Sequence, residues 1–171
     1  MYTEHTKEPR TKLRGMLYGE FEKNIAVYEQ KLAKMLLSVP ADGPEIAAYM
    51  GKVAILVCYI KRQFNLLISE INGNETITFG EFGAYINELA EIARFIGPKF
   101  ILCCNLTGGI DTRRATLFYE FFNSVTEWAI ENKIAESVVN IVSENGGTPP
   151  YLATLPGPAL YAAKARLSSP E

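Results

Sequence analysis

The stretch "IAAYMGKVAILVCYIKRQFNLL", Ile46 to Leu67, decides how the chain folds. Its apolar residues Ile46, Met50, Val53, Val57, Ile60, Phe64 and Leu67 advance in alternating steps of four and three. That rhythm draws one continuous seam along a helix and calls for a partner helix. A second apolar flank, Ile55, Leu56, Tyr59 and Leu66, lies beside it. One neighbour cannot cover both faces, so the helix needs either a second copy of the chain or the rest of its own subunit. Two helical hairpins from two chains, forming a four-helix bundle, satisfy that need, and a homodimer is the expectation. The longest apolar run, Val53 to Ile60, stops at Lys61 and Arg62. This is far short of the roughly 20 apolar residues a membrane-spanning helix requires.

Upstream, Leu17, Phe21, Ile25, Tyr28, Leu32 and Met35 form a similar stripe within Thr11 to Leu37, weakened at its start by Gly15 and Gly19. "SVPADG", Ser38 to Gly43, interrupts the helix, and Pro44 suits the first turn of the next one. An antiparallel helical hairpin over residues 11–75 is therefore expected, preceded by a flexible leader at 1–10.

Downstream, "NGNE", Asn72 to Glu75, reads as a turn, and Thr78 with Glu81 has capping-box spacing for a helix that Gly97-Pro98 stops. "KFILCCNL" has the length and apolarity of a strand, "TGGID" turns the chain, and Asp111 can cap the helix holding "TLFYEFFNSVTEWAIENK". In that helix Leu117, Phe121, Phe122, Val125, Trp128 and Ala129 read as a core face, with Asn123 and Glu127 at its edge. "SVVNIV" alternates like a strand, Asn145-Gly146-Gly147 turns, and "PYLATL" can return beside it. The tail at 157–171 is small and polar, with one possible helical turn in "YAAKARL". The fold class expected is α+β, mainly α: a hairpin followed by a mixed layer over 76–156.

Of the 171 residues, 48% are apolar and 21% charged, a composition that folds, and the formal charge of −2 gives no general pull toward phosphate backbones. Nucleic acid is not an expected partner. The opening residues are too polar for the core of a secretion signal, so a cytoplasmic location is expected. Three cysteines in apolar surroundings, Cys58, Cys103 and Cys104, read as reduced packing residues. Adjacent thiols on a strand point to opposite faces, so Cys103 and Cys104 do not form a metal pair, and no metal site is expected.

The order of these elements resembles the bacterial sensor histidine kinases, from their dimerisation hairpin into the start of their ATP-binding domain. The likeness is carried by "KVAILVCYIKRQFNLLISE", by "GEFGAYINELAEIARFIGPKFILCCNL" and by "LFYEFFNSVTEWAIEN", with Tyr59 followed by Lys61 and Arg62. It spans roughly Lys12 to Leu155. The resemblance implies two-component signalling, a dimer, a response-regulator partner, and an ATPase-like layer that would use ATP and Mg²⁺.

The family's reactive groups do not follow. The phosphoacceptor histidine expected on the first helix is missing; Arg14 and Tyr18 are nearest its place, and the single histidine, His5, lies in the leader. The family's Glu-x-x-x-Asn pair is exchanged for Asn123 and Glu127, and no aspartate or glycine-rich lid follows Lys133. A pseudokinase that binds rather than catalyses is the leading expectation, with no cofactor unless the altered site still takes ATP and Mg²⁺. Two alternatives stand beside it: a cytoplasmic fragment of a longer, active kinase, and a helical protein that holds a small apolar ligand. Lys61 and Arg62 on the second helix, and Arg113 and Arg114 at the start of the aromatic helix, offer a surface for a partner. The latter two oppose the helix dipole, a local conflict that hints at an interaction.

Overall fold

The computed structural model describes residues 19, 23, 25–41, 43–104, 107–142, 151–156 and 163–165. They fall into two compact units, residues 1–39 and 40–171, each taken by itself. His5, Arg14, Tyr18, Leu17 and Phe21 lie outside the described residues.

In the first unit, residues 25–37 form helix α1. Ile25, Tyr28, Leu32 and Met35 are its less exposed positions, as their spacing predicts, while Val27, Leu36 and Leu37 are exposed. The Ser38 N–H donates to the Met35 carbonyl as the helix ends.

The second unit opens with α2, Gly43–Ile71, about 43 Å long at 1.5 Å per residue. Its end explains why "NGN" stands there. The Gly73 N–H donates to the Glu70 carbonyl and the Asn74 N–H to that of Ser69, while Gly73 sits at a φ of 84°. This double closure of the last turn needs a left-handed residue, which glycine adopts without strain.

Next come β1 (Thr76–Thr78), α3 (Phe79–Arg94), β2 (Lys99–Cys104), β3 (Gly109–Asp111), α4 (Thr112–Glu131), β4 (Glu136–Val142), β5 (Tyr151–Pro156) and β6 (Ala163–Ala165). β1 and β3 pair antiparallel, Ile77 opposite Ile110, and make a ribbon that ties the starts of α3 and α4 together. Sequence periodicity does not reveal this ribbon, because three residues are too few to express an alternation. The expected "TGGID" turn is instead largely its second strand. Both predicted caps form: Thr78 Oγ1 accepts from the Glu81 N–H and Asp111 Oδ1 from that of Arg114.

The larger sheet runs β2-β4-β5-β6. β2 and β4 are parallel, Ile101 opposite Val138, with β3 and α4 forming the crossover. β5 returns antiparallel to β4, as "PYLATL" predicts. β6 pairs with β5, so residues 163–165, expected in a loose tail or a helical turn, run as a strand. On β4, Ser137, Val139 and Ile141 are buried while Glu136 and Asn140 are exposed, the alternation of a sheet covered on one face. The core collects Leu66 from α2, Phe82, Ile86 and Leu89 from α3, and Phe118, Tyr119 and Phe122 from α4. Phe122 meets the edge of the Phe100 ring from β2 at 5.2 Å between centroids.

The chain is thus mainly helical with small sheets. The flank Ile55, Leu56, Tyr59 and Leu66 is buried, and α2 packs against α3 and α4. Among the seam positions Val53 is buried with that flank, whereas Met50, Val57 and Phe64 stay 40–45% exposed.

Candidate functional site

The chemically richest place in the second unit is the junction of α2 with α3 and α4. Tyr59 on α2 stacks on Tyr119 of α4, nearly parallel at 5.8 Å. The Tyr119 hydroxyl lies 3.7 Å from Cys58 Sγ. Burial raises the Cys58 thiol above its usual value, and burial followed by the nearby Cys58 raises the Tyr119 phenol. Both groups therefore stay protonated and neutral near pH 7, as packing residues do and nucleophiles do not.

One turn along α2, Arg62 lies over the Tyr85 ring at 4.4 Å and bonds Glu88 of α3. Lys61 reaches the other Glu88 oxygen at 3.2 Å. Burial alone would favour the neutral acid at Glu88, but the hydrogen bonds from Arg62 and then Lys61 outweigh it and hold the carboxyl below its ordinary value. The Tyr85 hydroxyl donates to Glu81 at 2.5 Å, and burial together with that carboxylate raises its pKa. Lys61 and Arg62, marked in the sequence as a surface for a partner, thus meet an acid of their own chain. The sequence signal for this clamp is the placement of Glu81, Tyr85 and Glu88 on one face of α3, at steps of four and three.

On α4 the structure corrects the sequence reading of which residues face inward. Ala115, Phe118, Tyr119, Phe122, Thr126 and Ala129 are fully enclosed, whereas Leu117 and Trp128, expected in the core, are each 46% exposed. Asn123, expected at the edge, is only 8% exposed, and its Oδ1 is buried without a hydrogen-bond partner among the described residues. Glu127, one turn on, is half-buried. The apolar residues of the aromatic helix spread over more than one face, so its period alone leaves the inward direction open by about one residue step. The contacts with α2 and α3 fix it.

The two remaining arginines part company. Arg113 Nε donates to Glu70 at the end of α2, 2.7 Å away, which raises the arginine's already high pKa further. Arg114 makes no ion pair among the described residues, and its backbone N–H serves the Asp111 cap. Among the described residues no three histidine, cysteine or acidic side chains gather as a metal site, and no helix is long and apolar enough to cross a membrane. Cys103 is exposed and Cys58 buried, and both are free thiols. No protein-family model, no curated protein and no solved structure matches this chain.

Proposed function

We propose that the chain is a signalling module of sensor-histidine-kinase type that binds without transferring phosphate: a dimer built on helices within residues 11–75, carrying a shortened ATPase-like layer. What supports the reading is the agreement of element order with the resemblance, helix, helix, then helix, strand, helix and strand. The crossover from β2 through α4 to the parallel strand β4 adds to this, with Phe122 of the aromatic helix meeting Phe100 of the sheet.

The observation that carries the absence of catalysis is the state of Asn123. In the family a helix position of this kind presents oxygen ligands to Mg²⁺ and phosphate. Here the amide is enclosed on the same side of α4 as Tyr119, one turn earlier, which packs on Tyr59. A magnesium ion needs near-octahedral oxygen ligands and retains several waters, which an enclosed amide cannot supply. With no histidine on the first helix, neither donor nor acceptor machinery is in place.

The dimer rests on Met50, Val57 and Phe64, a stripe with heptad spacing that stays partly exposed. In this reading α1 and α2 form the hairpin, the module lies in the cytoplasm, and a response regulator or a similar protein is the partner. Incubation with labelled ATP and Mg²⁺ is expected to leave the protein unlabelled; label in an acid-labile bond rejects the proposal. Sedimentation is expected to show a dimer that Val57→Asp dissociates while leaving the helical circular dichroism unchanged. If Val57→Asp leaves the association intact, this seam is not the interface.

A further inference from the structure

The outer face of α4 has no role in the core or in the proposed module. Leu117, Phe121 and Trp128 follow one another along it, Leu117 and Trp128 eleven residues apart, which is about three turns and about 16 Å. Both end residues are half exposed, opposite the enclosed face formed by Phe118, Phe122 and Thr126. Single exposed apolar residues need no explanation, but an ordered ridge with the chain's only tryptophan does.

The charges along the same helix are reversed with respect to its dipole. Its first turn holds Arg113 and Arg114 and no acid, and its last turn holds Glu131 and no base. Cations at the N-terminus and anions at the C-terminus each oppose the helix's partial charges, and the Asp111 cap offsets only one end. Arg113 and Glu131 are eighteen residues apart, five turns, so they lie on one line beside the apolar ridge.

One partner answers all of these features at once. We propose that the outer face of α4 is a self-association surface on which α4 of a second copy docks antiparallel. A two-fold axis level with Phe122 sets Arg113 of each copy against Glu131 of the other and brings Leu117 within one residue step of the other copy's Trp128. The same register puts Glu120 opposite Ser124 and Glu127 opposite Leu117, so no two like charges lie directly opposite one another along that flank. The interface is isologous, and it closes on itself as a dimer. Arg113 remains 64% exposed while it holds Glu70, so N–H groups of its five-donor guanidinium stay open to a second carboxylate. Antiparallel docking also brings the positive end of each dipole to the negative end of the other.

A single helix-pair contact buries less than a stable dimer needs, so the association is weak and concentration-dependent. The surface is distinct from the α2 seam and does not depend on it. If both operate, dimers link into higher assemblies; if the α2 seam fails, α4 still gives dimers.

The experiment is analytical ultracentrifugation of the full chain over a range of concentrations, with Trp128 emission read in parallel. Association with a blue shift of the emission is expected as concentration rises. Glu131→Arg is expected to weaken the self-association by about ten-fold, because the new arginine faces Arg113 of the second copy. Combining Glu131→Arg with Arg113→Glu is expected to restore it. Since Glu131→Arg also suits the helix dipole, thermal unfolding of that variant should occur no lower than that of the parent, which separates lost docking from lost folding. Emission and sedimentation independent of concentration overturn the proposal, whether the face then belongs to another protein or to none. Association abolished by Val57→Asp yet indifferent to Glu131→Arg overturns it equally, and assigns the contact to α2.

Discussion

Lys133 is the only described non-glycine residue with a positive φ, 55°, and it holds that strained conformation for a clear reason. It follows the last turn of α4, where its own N–H donates to the Ile130 carbonyl and the Ile134 N–H donates to that of Ala129. The position plays the same part as Gly73 after α2, but with a side chain that disfavours it. Lys133→Gly is accordingly expected to stabilise the protein by about 0.5–1 kcal/mol, read as a higher urea midpoint at unchanged slope. Asn123 poses the opposite case, a residue whose conformation is ordinary and whose placement is costly. Its unpaired, enclosed carbonyl oxygen carries a desolvation penalty that no described partner offsets. Asn123→Leu, with the same branching and heavy-atom count but without the polar atoms, should stabilise the fold by about 1 kcal/mol in the same titration. A loss instead would mean that the amide has a partner in solution. Neither residue's state could be read from the chain: "ENK" shows no turn glycine, and an asparagine among phenylalanines says nothing about which way it points.

At the scale of elements, α2 is held by a close approach at one end and a charged clamp further along. A methyl group on Gly51 would come 1.9 Å from Ile96 Cγ2, so a side chain there requires Ile96, just beyond α3, to shift. Gly51→Ala gains helix propensity but must displace a branched side chain, and a net loss of about 1–2 kcal/mol is expected in thermal or urea unfolding. Adding Ile96→Ala should recover part of it. Along the helix, Glu88 ties Arg62 and Lys61 to α3. Because the folded carboxyl titrates below its ordinary value of 4.5, its contribution is present above that value and fades as pH falls through the lower, folded one. The stability difference between the parent and Glu88→Gln should therefore be largest near neutrality and shrink toward strong acid, as urea midpoints at a series of pH values would show. The elements were legible where the signal was long or chemical: α2 from its three-and-four rhythm, α3 and α4 from their Thr78 and Asp111 caps, β4 and β5 from alternation and a glycine turn. The β1–β3 ribbon and β6 were not, since three-residue strands take their meaning from the neighbour they pair with.

For the whole molecule, the sequence determined that two apolar faces run along Ile46 to Leu67 and that more than one neighbour must cover them. Periodicity is a local property, fixed by side-chain spacing on one helix. Which neighbour covers which face is a property of three-dimensional packing, and there the tertiary structure decided. Ile55, Leu56, Tyr59 and Leu66 are buried as α2 packs on α3 and α4, while Met50, Val57 and Phe64 keep a partly exposed edge. The same division holds for the candidate site. That residues 11–37 hold no histidine and that Asn123 and Glu127 stand one helical turn apart is written in the sequence, because residue identity and spacing are local properties. The enclosure of Asn123, the exposure of Trp128 and the capture of Lys61 and Arg62 by Glu88 are not, because each depends on the rotation of a helix about its own axis. A helix apolar on several sides leaves that rotation open until its neighbours fix it.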